Sequence, residues 1–474
     1  MQFNSLVFAA FFAIVLLLNN LPVGWRVKKF NLLWLSYLFY AAWNPPFVAL
    51  LWVSTLADWF IAKRMHNTEH AVHRRLLLIL SLCVNLGMLC YFKYGAFAVE
   101  NFQALLFAMG VEWQPAVPSI VLPIGISFYT FQTLSYTLDI HARRIKPWDS
   151  FLDYALFVTF FPQLVAGPIV RARQFLPQCA KEIKATARDL AWGMSCIVIG
   201  LFQKVVIADG LLAGNVEAVF DVDTAPTFVD GWIGSMGFAC QIFCDFAGYS
   251  ICAIGVARCL GFWLPMNFNY PLASPGFGDF WRRWHISLAT WLRDYVYRPM
   301  GGNRVSMARW MFNVMFTWTL IGLWHGSAWN FVLWGTSSGL LIVLERIVRE
   351  TGPSSEAWSH PVSQFGFGCL QFVGFSITLL MWRAPDFSRL GEVANTMFLG
   401  TPDGRPMILS MASIMVTATT VSVLFLWHWY MRSSSLEELA DRSPRWLKSA
   451  ALTIMLLSIV LIPGRDHAFI YFQF

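Results

Sequence analysis

The chain has 474 residues, of which 57% are hydrophobic and only 13% are charged. Soluble domains carry about 25% charged residues, so a water-soluble core is excluded and a polytopic membrane protein is implied. The net charge of +7 fits basic cytoplasmic loops and does not require nucleic acid as a partner.

The N-terminal stretch "MQFNSLVFAAFFAIVLLLNNLP" has no basic n-region and no small-residue cleavage site. That predicts a retained first span over 5–22 rather than a signal peptide. Further apolar stretches follow at 30–44, 46–62, 76–93, 119–140, 190–208, 232–258, 310–326, 328–345, 365–382, 407–429 and 449–463. A span needs roughly 17–25 apolar residues, fewer where protein shields it. The stretches succeed one another too closely for separate soluble domains. They predict an all-α, polytopic helical bundle of about 11–13 membrane segments. It forms one membrane domain over 1–474: peripheral spans in 1–118, a core in 119–348, then further spans and a tail in 349–474. The region 310–345 reads as two short passes or one long bent one. The stretch 151–168 is apolar but ends at the helix breakers Gly167 and Pro168. A re-entrant element is expected there, because broken backbone at membrane depth survives only where protein or a cavity covers it.

Loop charge sets orientation. Arg26, Lys28 and Lys29 follow the first span, and Lys63, Arg64, Arg74 and Arg75 follow the third. Arg143, Arg144, Lys146, Arg171, Arg173, Lys181 and Lys184 surround the re-entrant stretch, and six arginines lie between 282 and 309. The region 210–231 has four acids and no Lys or Arg, and 94–118 has Glu100 and Glu112 without a positive charge. Counting spans places every basic loop on one side and both acidic loops on the other. The basic side is cytoplasmic, which puts both termini outside. No internal repeat of the kind common in transporters is visible. The nine cysteines fall mostly in apolar stretches without a CxxC pair; Cys240 and Cys244 could share a helix face. They read as buried thiols, and no Cys/His cluster has metal-ligand spacing.

Two stretches carry ionisable groups that bilayer solvation does not explain. On a helix, "FWRRWHISLATWLRDYVYRP" (280–299) puts Trp281, Trp284, His285, Leu288, Trp291, Leu292 and Tyr295 in one arc, with the arginines opposite. It reads as an amphipathic helix in the cytoplasmic interface, its tryptophans at headgroup depth. Anchoring accounts for the tryptophans and arginines but not for His285, which is a structural or a functional histidine. In "TWTLIGLWHGSAWNFVLWG" (317–335), His325 stands alone in an apolar run. Gly322 and Gly326 allow another backbone to approach, and Trp324 and Trp329 are placed to exclude water. Its alternative is a core histidine bonded to a carbonyl. A buried, neutral imidazole can take the proton from a hydroxyl as that oxygen attacks an acyl carbon. With a thioester donor this is acyl transfer without a metal. No GxSxG elbow is present, so serine-hydrolase chemistry is unsupported.

These residues carry a resemblance. The chain resembles the bacterial branch of the membrane-bound O-acyltransferases, which includes alginate and cellulose acetylation proteins and the D-alanyl transfer protein of teichoic acid. The matching stretches are "LPIGISFYTFQTLSYTLD" (122–139), "FFPQLVAGPIVR" (160–171), "DFAGYS" (245–250), "FWRRWHISLATWLRDYVY" (280–297), "GGNR" (301–304), "GLWHGSAWNFVLWG" (322–335) and "FIYFQF" (469–474). The resemblance implies that His325 is the catalytic histidine and His285 a second active-site residue. It also implies a tunnel across the bacterial inner membrane through the 119–348 core, lined by Trp324, Trp329, Asn330, Trp284, Gln163 and Tyr249. No cofactor is implied. The acyl donor would be acetyl-CoA or another acyl thioester from the cytoplasm, and the acceptor would be served outside. The implied partners are inner-membrane lipids, periplasmic SGNH-type acetyltransferases and a polysaccharide synthase complex. After "GYS" the alginate pattern continues Asp-Met-Ala, whereas this chain has Ile251, Cys252 and Ala253. The favoured reading is acetyl transfer to a secreted polysaccharide, alginate or cellulose. Alternatives are D-alanyl or peptidoglycan acyl transfer, or a non-catalytic scaffold or exporter subunit.

The C-terminal "FIYFQF" would be a costly exposed patch. Either it folds back as structure, or it inserts into the tunnel and presents Tyr471 as an acyl carrier near His325. The charge asymmetry itself generates a prediction. Cysteines introduced in 210–231 should react with an impermeant maleimide in spheroplasts, and cysteines in 141–150 or 261–309 only after permeabilisation. Labelling of 261–309 from outside would reverse the orientation.

Overall fold

The computed structural model describes residues 1–165, 167–221, 224–352, 358–401, 405–462 and 469–470. They form α-helices joined by short turns, with no strand among the described residues. Each of the twelve expected spans falls on a helix. Seven helical runs are long and apolar enough to cross a membrane on their own, from Pro45–His66 to Met411–Met431. The region 310–345 resolves into two helices, Met307–His325 and Trp329–Thr351. The chain divides into two compact units, one of Met1–Met194 with Ala253–Pro265, the other of Ser195–Cys252 with Met266–Phe474.

In the first unit the helices Val48–His66, Ala71–Ala108 and Ile126–His141 pack together. Their contact is polar at its centre. Asp58, fully buried, accepts from Ser81 Oγ at 2.6 Å and Asn85 Nδ2 at 2.9 Å, and Ser54 and Thr133 donate to Asn85 Oδ1. In an apolar solvent such groups must be satisfied inside the protein. The Ala71–Ala108 helix has 38 residues, about 57 Å at 1.5 Å per residue. The expected interruption at 151–168 is present. Helix Phe151–Thr159 stops at Phe160, a single turn Phe161–Leu164 follows, and both are buried from Asp153 onward. Gly125, at φ +78°, packs here so closely that a Cβ would sit 2.7 Å from the Leu164 carbonyl oxygen.

The second unit is built around residues 228–252 of the 32-residue helix Phe228–Cys259, whose apolar stretch is almost wholly buried. Cys240 and Cys244 lie on it as buried free thiols. Met307–His325 and Trp329–Thr351 form an antiparallel hairpin in backbone contact. A Cβ on Gly322 would meet the Phe331 carbonyl oxygen at 2.2 Å, and one on Gly335 would meet the Trp318 carbonyl oxygen at 2.3 Å. The small residues do what the sequence anticipated at Gly322, and Gly335 and Gly339 are the counterparts across the contact.

One expectation fails here. Residues 280–299 are not a single interfacial helix. They break into Phe277–Arg283 and Ile286–Leu292, followed by a π-helical turn at Arg293–Tyr297. The break is at His285, whose φ is +42°. Asn267 holds it open: the Ile286 N–H donates to the Asn267 carbonyl, and Ser287 donates to its side-chain oxygen. Trp284 and Trp291 are buried in protein.

The hairpin contact yields a stability prediction. Gly335→Ala should destabilise the purified protein by about 1–3 kcal/mol, the usual range for overpacking. Gly366→Ala meets nothing within 4 Å and should be neutral or slightly stabilising. Equal melting temperatures in detergent for the two variants would contradict the contact.

Candidate active site

His325 is the last residue of its helix. Gly326 then turns extended, and its Cα packs on the Phe331 ring so tightly that a Cβ would lie 2.2 Å from two ring carbons. The imidazole, 4% exposed as a residue, is walled by indoles. Ring centroids lie 4.9 Å away for Trp324, 5.1 Å for Trp334 and 4.6 Å for Trp382. Trp382 comes from a distant segment, and Asn330 ties that segment in. Its Nδ2 donates to the Ala384 carbonyl at 3.1 Å, which holds the Leu380–Arg383 turn beside the start of the second hairpin helix. Among the described residues, the buried Trp334 Nε1–H and, one turn on, Ser338 Oγ have no hydrogen-bond partner. Buried polar atoms left so are costly, and next to an imidazole they are natural contacts for a polar substrate.

His285 is brought to the same place. Its ring lies 5.8 Å from Trp324, the indole that also meets His325. Its Nδ1 lies 3.1 Å from Asn267 Oδ1. That atom also accepts the Ser287 backbone N–H, so it is the amide oxygen, and His285 Nδ1 must carry the proton. Nε2 is then the basic nitrogen of a neutral ring. Burial lowers the pKa of this imidazole well below its ordinary value, which keeps it uncharged at neutral pH.

The other expected residues are placed as follows. Trp284 is buried among Phe243, Phe268, Phe280 and Phe375. Trp329, expected as a wall of the histidine site, opens its helix and is 56% exposed; five residues further along that helix, Trp334 meets the imidazole. Gln163 belongs to the other unit and donates to the Phe157 carbonyl at 2.7 Å, closing the interrupted helix. Tyr249 packs at a tilt against Phe469, with centroids 4.6 Å apart. Tyr471 lies outside the described residues. The two residues before it are placed: Phe469 is fully buried against Phe246 and Tyr249, and the Ile470 N–H donates to Asp245 Oδ2 at 2.9 Å. Phe246 in turn meets the His285 ring edge-on at 4.7 Å.

Sequence reasoning missed several contributors. Trp334 stood inside the quoted motif and was not singled out. Trp382 and Asn267 carried no local signal. His428, a third buried histidine, accepts the Leu272 N–H through Nδ1 at 3.0 Å and packs on Phe243.

Comparison with known proteins identifies the family. Residues 25–382 match the model of MBOAT, the membrane-bound O-acyltransferase family. A peptidoglycan O-acetyltransferase of Helicobacter pylori is 35% identical over 380 residues, covering 74% of this chain and 69% of that protein. A probable alginate O-acetylase, AlgI, of Azotobacter vinelandii is 39% identical over 330 residues, covering 68% of this chain and 64% of its own length. The chain thus spans about two thirds of these relatives. A teichoic acid D-alanyltransferase of Bacillus subtilis is 30% identical over 287 residues, covering 56% of this chain and 71% of its own. With a family match over most of its length and both histidines gathered on one indole, this all-α membrane protein belongs to the membrane-bound O-acyltransferase family.

Proposed function

We propose that this protein transfers acetyl from a cytoplasmic thioester, acetyl-CoA in the simplest case, to a secreted polysaccharide outside the inner membrane. The observation that carries the reading is the convergence of His325, His285 and the buried tail residue Phe469 through two shared rings, Trp324 and Phe246. His325 acts as the general base. It removes the proton from an attacking hydroxyl; the oxygen bonds to the thioester carbonyl carbon; the C–S bond breaks; and the thiolate leaves with the proton from the imidazolium. Trp334 Nε1–H, lacking a partner among the described residues, is suited to the oxyanion that forms on that carbon. His285, fixed as the Nδ1–H tautomer by Asn267, keeps Nε2 as the basic nitrogen of a neutral ring.

The hydroxyl in this reading is the phenol of Tyr471, one residue beyond the anchored Ile470. The phenolic ester is a better acyl donor than an alkyl ester. It would pass acetyl to the serine of a periplasmic SGNH-type partner, with the phenol recovering its proton. Acetyl crosses the membrane while the donor stays inside. Alginate and cellulose are the acceptors favoured by the motifs. Peptidoglycan is the second reading, favoured by the Helicobacter relative.

The catalytic roles are tested by polymer acetylation in cells and by acetyl-CoA turnover in proteoliposomes. His325→Ala should lose about 10²–10⁴-fold, the usual worth of a positioned base, while still inserting in the membrane. Trp334→Phe keeps the ring and should lose on the order of 10²-fold, as for one oxyanion donor. His285→Ala should be crippled less completely. Near-parental acetylation by His325→Ala would instead support a scaffold.

The relay is tested separately. Tyr471→Phe removes the nucleophile and keeps the ring, so polymer acetylation should vanish while the protein stays stable in the membrane. Mass spectrometry of the parent should find acetyl on its C-terminal peptide. Parental activity in Tyr471→Phe would end the relay reading.

A further inference from the structure

Phe202–Ala213 is a π-helix of 12 residues, a form that usually occurs as single turns and often at functional sites. Its i→i+5 repeat brings Lys204 and Asp209, five apart, onto one face, with Nζ and Oδ1 2.9 Å apart. The same ammonium lies 2.6 Å from Asp245 Oδ1 on the Phe228–Cys259 helix. That reach depends on a glycine crossing: a Cβ on Gly200 would meet the Gly248 carbonyl oxygen at 2.4 Å, and one on Gly248 the Gly200 carbonyl oxygen at 2.6 Å. All three charged groups are buried. Placing them at membrane depth is expensive, and groups so placed mark function by default.

Asp245 has two oxygens and divides them. Oδ1 faces Lys204, and Oδ2 accepts the Ile470 N–H at 2.9 Å across 225 residues of sequence. A hydrogen bond to a carboxylate is about twice as strong as a neutral one. The adjacent Phe246 touches both Phe469 and His285. The terminal helix Arg445–Leu461 packs on the same π-helix, where a Cβ on Gly210 would meet Ile462 at 3.3 Å. The chain is therefore held at Ile462 and again at Phe469 and Ile470, all against one cluster of elements.

We propose that Asp245, oriented by Lys204, is the positioning residue of the acyl acceptor: it fixes the amide of Ile470 so that the next residue, Tyr471, is delivered to the histidine site. The proposal rests on the relay reading above. One trans peptide unit advances the chain by about 3.8 Å, so clamping the Ile470 amide restricts where the tyrosine hydroxyl can act. Asp245 works through the backbone of the tail, at the Ile470 amide.

The test uses the full-length protein in proteoliposomes with radiolabelled acetyl-CoA. The rate of acetylation of the C-terminal peptide is read together with hydrogen–deuterium exchange of the tail amides. Asp245→Ala should raise tail exchange and slow tail acetylation by about a hundredfold, the scale of a reacting group displaced by an ångström, with the KM for acetyl-CoA unchanged. Asp245→Asn retains a carbonyl acceptor and leaves Lys204 paired with Asp209, so it should restore tail protection and most of the rate. Ile470→Pro deletes the N–H and leaves the ion cluster intact. It should reproduce the defect of Asp245→Ala even if that variant folds poorly. Unchanged tail protection in both Asp245→Ala and Ile470→Pro overturns the anchor, as does failure of a folded Asp245→Asn as complete as that of Asp245→Ala. Full polymer acetylation by Tyr471→Phe overturns the relay beneath it, and that arm leaves Asp245 untouched.

Discussion

Where Gly322 meets the Phe331 carbonyl and Gly335 meets the Trp318 carbonyl, two helix backbones touch without side chains between them. The site depends on that contact. It sets the turn after His325, puts Trp334 against the imidazole, and lets Asn330 reach the Ala384 carbonyl and carry Trp382 with it. Hydrocarbon offers no hydrophobic gain for pressing helices together, so association in lipid relies on close packing and internal hydrogen bonds. A side chain at either glycine would part the helices and open the indole wall.

Polar groups in this protein are handled in three ways. Asp58 is buried in a neutral net of hydroxyls and an amide, with no cation against it among the described residues. Asp245 and Asp209 share Lys204. The first kind ties three helices of one unit together, as interhelical hydrogen bonds do in membranes. The second couples a long central helix to the end of the chain through the Ile470 amide. His285 follows a third logic. Its charge is suppressed by burial and its tautomer set by one amide oxygen.

Hydropathy made the spans legible, because a run of apolar residues has few other uses. Gly167 and Pro168 announced the broken helix beside them, and His325 announced itself as a lone imidazole in an apolar run. What stayed hidden depended on residues far apart in sequence. The kink at His285 is imposed by Asn267, eighteen positions upstream, and helical periodicity is blind to it. Trp382 lies 57 residues beyond His325, in a stretch with no motif. The Lys204–Asp209 pair is spaced by five, which an α-helix would place on different faces. Trp329 begins a new helix after the turn, a position that the apolar run of the sequence did not mark.

The long helix Ala71–Ala108 has a mechanical consequence. At about 57 Å it exceeds the roughly 30 Å hydrocarbon layer and the 40–45 Å between headgroup planes. A span matched in length to its bilayer tilts, or strains the lipid, when the membrane thickens or thins, at some fraction of a kcal/mol per ångström. An over-long span has helix to spare. Its uncharged apolar run lies between Arg75 and Lys93, and outside that run the backbone hydrogen bonds remain closed within the helix. Residues 94–108 continue the helix past that run, so the charged side chains mark its depth while the surplus turns reach beyond the hydrocarbon.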